Sequence, residues 1–151
     1  RQRQMCIRDR YNNAASDMNI ANSIYNAVNG FDSKLIHVTL ANSEWSEYLK
    51  SKKVKVANEG FADRAYDDNG HLVSRSIEGS VLHNETEIID RVIGMAKNKE
   101  VKSITGKIIK LDINTICLHG DNKDSVILAK KLKKELINSG CEIKSLPTFI
   151  K

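Results

Sequence analysis

The sequence has little of what breaks or staples a chain: one proline, three cysteines and 5% aromatic residues stand among 151. Cys6, Cys117 and Cys141 are odd in number and lack CxxC spacing. That argues against a disulfide framework and a zinc knuckle, and it fits the reduced thiols of a cytoplasmic protein. No apolar run approaches the roughly 20 residues that span a bilayer, so a membrane protein is not expected. Repeats, low-complexity tracts and Pro/Gly/Ser linkers are missing too. Also absent are a Walker A loop, GxGxxG, GxSxG and HExxH, which leaves a self-sufficient ATPase, dinucleotide enzyme, serine hydrolase or zinc protease unsupported. Asp67-Asp68-Asn69-Gly70 has the look of a calcium loop, but the first ligand position would fall on Ala65 and the twelfth on Ser76, so that reading fails.

What is present is a mixed-charge globular composition, with 40% hydrophobic residues, 24 Lys plus Arg and 19 Asp plus Glu, net +5. Arg1, Arg3, Arg8 and Arg10 against Asp9 put +3 of that charge into the first ten residues. From Tyr11 onward no basic face stands out except on a lysine-rich final helix, so nucleic acid is not an expected partner. The opening RQRQMCIRDR has no apolar h-region and no initiator Met, and its composition breaks sharply from the rest of the chain. It is no secretory signal. It reads as a disordered basic tail or as sequence foreign to the fold, and the domain is taken as residues 11–151, with no boundary visible after residue 10.

From there helix and strand patterns alternate. Asp17 can cap a helix carrying Ile20, Ile24, Ala27 and Val28, ending near Gly30. Leu35 to Leu40 reads as a buried strand, Ser43 to Lys52 as a helix with Trp45, Tyr48 and Leu49 inward, and Val54 to Ala57 as a second strand. Asp68-Asn69-Gly70 supplies the left-handed turn of a hairpin between residues 64–66 and 71–73. Asn84 and Glu87 form a helix-start box ahead of the stripe Ile88, Ile89, Val92, Ile93 and Ala96. Val101 to Leu111 alternates as a second hairpin around Thr105-Gly106, and Thr115 to Leu118 is a third buried strand. Val126, Ala129, Leu132 and Leu136 mark a last helix stopped by Gly140, with Lys123, Lys130, Lys131, Lys133 and Lys134 on its solvated face. Strands alternating with helices predict an α/β fold with parallel βα units.

In such folds polar groups meet where strands end. Glu59-Gly60-Phe61-Ala62-Asp63-Arg64 comes after the second strand. Its carboxylates suit acid, base or metal-ligand roles, and Arg64 suits a carboxylate or phosphate; a Glu–Arg or Asp–Arg pair that merely pins the loop is the plainer alternative. His119-Gly120-Asp121-Asn122 ends the third strand. His119 suits proton transfer, and Asp121 can orient it or join it on a metal; equally, Asp121 or Asn122 can cap the next helix with His119 as packing. Arg75-Ser76 can clamp a small carboxylate. His71 and His83 lie beside turns and read as exposed, His37 as a core histidine.

Glu59…Phe61-Ala62-Asp63-Arg64…Tyr66, then Asp68-Asn69-Gly70-His71-Leu72-Val73…Arg75-Ser76…Gly79, then Thr115-Ile116-Cys117-Leu118-His119-Gly120-Asp121-Asn122 resemble the C-terminal half of the LamB/YcsF family of bacterial 5-oxoprolinase A subunits. The likeness covers about Tyr11 to Glu142, and Tyr11-Asn12 matches the end of the family's HGALYN motif. It implies a partial, irregular β/α barrel related to the glycoside hydrolase/deacetylase fold, with the two hairpins as excursions. It also implies work with B and C subunits in opening 5-oxoproline to glutamate, with ATP consumed by the complex and a divalent metal of unassigned identity possible. Glu59, Asp63, His119 and Asp121 are then the catalytic candidates, and Arg64, Arg75 and Ser76 the substrate-binding ones. The family's Asp-rich start and its CGFHAGD-like and HPG-like segments have no counterpart here, so the chain alone is expected to be inactive. The alternatives are a metal-dependent carbohydrate deacetylase and a non-catalytic scaffold.

Overall fold

The computed structural model describes residues 10–120 and 124–150. They fall into two compact units: one runs to Asn58 and takes in the tail from Ser145, and the other is Glu59–Lys144. The division lies inside a strand, so no linker composition marks it in the sequence.

In the first unit α1 (Met18–Phe31) begins where the sequence asks, because the Asp17 carboxylate accepts from the N–H groups of Asn19 and Ile20 at 2.8 and 3.3 Å. This satisfies donors that a helix start leaves open. After β1 (His37–Leu40), α2 (Glu44–Ser51) starts the same way, with Ser43 Oγ accepting from Ser46 N–H at 3.1 Å. Ala14, Ala21, Trp45 and Leu49 form a buried cluster with Ile20, Ile24, Tyr25 and Tyr48 around it. His37 is a core histidine; it is 7% exposed, and burial holds its pKa below the ordinary value.

The second strand corrects the sequence reading. β2 spans Val56–Phe61, so Asn58, Glu59, Gly60 and Phe61 are strand where a loop was expected to start. Propensity disfavours Asn and Gly in a strand, but local context overrides it. Asn58 is buried with its Oδ1 accepting from Ser46 Oγ at 2.6 Å. Gly60 lies where a Cβ would meet Ile113 Cγ2 at 3.0 Å and Met95 Sδ at 3.3 Å. Both neighbours are side-chain ends that can give a little, so Gly60→Ala is expected to destabilise by about 1–3 kcal/mol through overpacking. A urea midpoint identical to that of the parent chain would show that this region is loosely packed.

The sheet has the order β1-β2-β5, with β5 at Thr115–Cys117. β2 and β5 run parallel with Glu59 opposite Thr115, Gly60 opposite Ile116 and Phe61 opposite Cys117. Expected as buried, β5 is half-buried along its length because it stands at the end of the strand order.

The rest of the second unit packs α3 (Glu85–Asn98) on α4 (Ser125–Asn138). Asn84 Oδ1 accepts from Glu87 N–H at 3.0 Å and starts α3. Ile88, Val92 and Met95 are its buried residues, so Met95 takes the inward place expected of Ile93 and Ala96. On α4 the inward line is Leu128, Leu132 and Leu136, spaced one turn apart, while Val126 is 63% exposed. The expected stripe was therefore rotated at its first turn. Lys130, Lys131, Lys133 and Lys134 are exposed as read, with Lys131 pairing Glu85 at 2.6 Å; Lys123 lies outside the described residues.

Both hairpins form. Ala65 and His71 carbonyls accept from Val73 and Asp67 N–H groups around a turn in which Gly70 takes φ +88°. The second hairpin pairs β3 (Glu100–Lys102) with β4 (Ile108–Lys110), Val101 opposite Ile109. Ser103 and Thr105 hydroxyls donate to the Asp68 carboxylate at 2.7 and 2.6 Å and tie one hairpin to the other.

Candidate active site

The register of β2 against β5 generates the site. Glu59 opposes Thr115 and Phe61 opposes Cys117, and Ala62 N–H still donates to the Cys117 carbonyl at 3.0 Å. Two residues beyond the last pair on each side come Asp63 and His119, the same 56 positions apart. Side chains two residues apart along a strand share a face, so both reach the same side as the strands end. His119 Nδ1 lies 2.7 Å from both Asp63 carboxylate oxygens, and the two side chains are only 5% and 15% exposed. The Phe61 ring stacks on the imidazole at 5.9 Å between centroids and 25° between planes.

Burial by itself would raise the Asp63 pKa. The hydrogen bond from His119, the electrostatic pull of the imidazole and the Arg64 charge outweigh it and hold the carboxyl below its usual range. An ionised carboxylate only accepts, so Nδ1 carries the hydrogen and donates. On the other side of the ring Arg75 Nη2 lies 3.4 Å from His119 Nε2. A guanidinium only donates, so when the ring is neutral the Nε2 lone pair is the atom that faces this cation. The arrangement is a carboxylate, an imidazole fixed in one tautomer and a cation in line, which suits proton transfer beside an anionic ligand.

The pair borders a cleft of about 820 Å³ whose walls are Val81, Leu82, Ile88, Leu118, Ile127 and Leu128, with His83, Glu85, Asp124 and Ser125 adding polar groups. Its size is that of a small-molecule site.

Of the residues singled out in the sequence, Asp63, His119 and Arg75 come together. Asp121 lies outside the described residues, and the partner of His119 seen here is Asp63. Glu59 is half-buried inside β2, two positions before Phe61. Arg64 is 6% exposed, and its Nη2 donates to the Val73 carbonyl at 2.6 Å. It holds the hairpin through a backbone carbonyl, and neither Arg64 nor Arg75 is among the residues lining the cleft. Ser76 is exposed, its hydroxyl 2.9 Å from that of Ser74 within the same turn. His71 and His83 are exposed as expected.

Three contributors were not among the site candidates, although Phe61 and Tyr66 stand in the motif quoted above. Phe61 packs the imidazole. Tyr66, fully buried, accepts the Phe61 N–H on its phenol oxygen at 2.8 Å. Arg91 donates to the Arg64 and Lys102 carbonyls at 2.9 and 3.0 Å and lies over the Tyr66 ring. Phe61 and Arg91 act on residues distant in sequence, His119 and Lys102 among them, which no local pattern reveals. Among the described residues no three His, Cys, Asp or Glu side chains converge on a metal position, so the described donors do not make up a metal centre. Among them, too, no helix is long and apolar enough to cross a membrane.

Comparison with known proteins agrees with this architecture. A solved structure, the lactam utilization protein from Thermus thermophilus, superposes with a TM-score of 0.81 at 27% identity, covering 89% of this chain and 53% of that one. The 5-oxoprolinase A subunit of Campylobacter jejuni subsp. doylei is 46% identical over 140 residues, 93% of this chain and 55% of the relative. The protein of the same name from Pyrococcus furiosus is 38% identical over 141 residues, 93% and 55% respectively. The chain spans about half the length of the curated relatives it matches. The model of the LamB/YcsF family matches residues 10–151, nearly the whole chain, and with an α/β fold and a parallel strand pair ending in Asp63 and His119, this protein belongs to that family.

Proposed function

We propose that this chain is the part of a 5-oxoprolinase A subunit that handles protons and holds the substrate carboxylate. The complex, cytoplasmic and completed by B and C subunits, opens 5-oxoproline to glutamate with hydrolysis of ATP. The observation that carries this reading is the buried Asp63–His119 pair, 2.7 Å apart, with Arg75 at 3.4 Å from the far imidazole nitrogen. The names of the relatives supply the substrate. Within the relatives' full length, β1, β2 and β5 belong to an irregular β/α barrel of the deacetylase type.

Opening a lactam requires water to add at the ring carbonyl carbon, the carbon–nitrogen bond to break and the nitrogen to leave with a proton. Phosphoryl transfer from ATP to the carbonyl oxygen leaves ADP and makes that carbon electrophilic; ring opening then gives an acyl phosphate, which a second water cleaves to glutamate and inorganic phosphate, and the phosphoryl transfer belongs to the partner subunits. His119 Nε2 takes the proton from water and returns it to the departing nitrogen, while Asp63 holds Nδ1–H and stabilises the imidazolium formed between the two transfers. Arg75 engages the ring carboxylate.

The test is a coupled assay. A full-length subunit carrying this segment, mixed with B and C subunits, 5-oxoproline and ATP, is expected to yield glutamate and ADP, and the 151 residues alone to yield none. Glutamate formed at the same rate when the full-length subunit is left out would overturn the reading.

A further inference from the structure

We infer that Arg75 is a cap on the basic nitrogen of His119 that a substrate carboxylate lifts, so that the site selects for lactams bearing a carboxylate beside the ring nitrogen. The inference rests on the proposed reaction for what the base acts on; the cap is a feature of this chain alone.

The imidazole has two nitrogens and one is spent. Nδ1–H is committed to Asp63 at 2.7 Å from either oxygen. The lone pair on Nε2 is the atom that can take a proton, and Arg75 Nη2 stands 3.4 Å from it. Every guanidinium nitrogen donates and none accepts, so this contact occupies the lone pair. A lone pair that already accepts a hydrogen bond is not open to a proton until that bond breaks.

The contact is also one that gives way. At 3.4 Å it lies beyond the usual range for N–H donors, and its acceptor is a neutral ring. A carboxylate offers two charged oxygens to the same fork, a bidentate pairing that a single ring nitrogen cannot match. Arg75 can answer such a ligand because it is exposed, on the surface segment that turns through Ser74, Ile77 and Ser80. The other two arginines of this unit are anchored on backbone: Arg64 on the Val73 carbonyl, Arg91 on the Arg64 and Lys102 carbonyls. One cation therefore reads the carboxylate and, by moving to it, uncovers the base. A lactam ring without the carboxylate leaves the cap in place.

Two measurements on the chain as it stands test this. The first is carbethoxylation by diethylpyrocarbonate, followed at His119 by peptide mass mapping so that His37, His71 and His83 are read separately. Arg75→Ala is expected to speed modification of His119 about twofold, the factor for losing a hydrogen bond at the weak end of the usual range. Arg75→Met, which keeps the stem and loses every N–H, is expected to do the same if alanine disturbs the turn. The second is the ¹⁵N resonance of His119 Nε2. Millimolar 5-oxoproline should move it toward its position in the Arg75→Ala protein, while 2-pyrrolidinone, the same ring and N–H without the carboxylate, should not. Equal reactivity of His119 in all three proteins overturns the cap, and equal shifts from both lactams overturn its release by carboxylate. If the complete complex makes glutamate while either of these fails, the inference falls and the proposed reaction stands. If the resonance responds and the complex makes no glutamate, the reaction falls and the cap stands.

Discussion

His119→Ala in a full-length subunit carrying this segment is expected to lower glutamate formation by the complex roughly 10²–10⁴-fold, the usual worth of a positioned acid–base group. Asp63→Asn should fall in the same range although it changes almost no volume. An amide can turn its N–H₂ toward Nδ1, which then has to accept, and the hydrogen moves to Nε2, where a lone pair is needed. Measuring ADP alongside glutamate locates the defect. ADP formation that persists while glutamate fails puts the pair after phosphoryl activation. Undiminished glutamate formation by both variants would remove the pair from the mechanism.

The state of Asp63 makes the pair usable at neutral pH. Its carboxyl is held below the usual value of 3.8, so it is ionised throughout the neutral range. The linkage sign is that of any depressed carboxyl: it contributes stability that is present above its unfolded value and is lost as pH falls through the folded one. Acid therefore weakens the fold through this pair only below about pH 4, well clear of neutral pH.

Tyr66→Ala is expected to cost about 3–5 kcal/mol, the range for emptying a buried aromatic site, and Tyr66→Phe about 1–3 kcal/mol. The phenylalanine variant keeps the ring but leaves the Phe61 N–H, now bonded to the phenol oxygen at 2.8 Å, without its acceptor. Because Phe61 stacks on His119 and leads into Asp63, the damage should reach the pair as well as the fold. A second readout separates this from a general loss of packing. Burial raises the Tyr66 pKa to about 12 from 10.0, against the smaller opposing effects of the Phe61 hydrogen bond and the Arg91 charge. A raised folded value means stability that is complete below pH 10 and lost as pH climbs through about 12, worth roughly 3 kcal/mol in all. Alkaline destabilisation in that window should be present in the parent chain and absent from Tyr66→Phe. If urea midpoints of the two fall in parallel from pH 9 to 12, the phenol is not the group being titrated.

Much of the fold was legible because its signals are local. Asp17 and Asn84 precede apolar stripes, and each caps the helix it precedes, since the groups it satisfies lie two or three residues away; Ser43, read as the helix's first residue, is its cap. Gly70 and Gly106 take the positive φ that their turns need. By contrast β2 extends further than its sequence suggests. Asn58 and Gly60 look like loop until the Ser46 hydroxyl and the side chains of Ile113 and Met95 are brought against them. The first turn of α4 is ambiguous for a similar reason, since Val126 and Leu128 are equally apolar and only the neighbouring helix decides which faces inward.

The candidate site divides along the same line. The residue types were evident from the sequence alone: a histidine and acids where two strands end, and arginines nearby. Their pairing was not. The sequence put Asp121 beside His119 and left Arg64 and Arg75 open as clamps, because adjacency along the chain is all a sequence can weigh. Among the described residues the tertiary structure supplies Asp63, because parallel pairing of Glu59 with Thr115 carries both strands forward in step and brings residues 56 apart side by side. It gave Arg64 to the Val73 carbonyl and Arg75 to the imidazole. The chemistry was determined by composition at the strand ends, and the partners by the register of one strand on another, which depends on packing across the whole sheet.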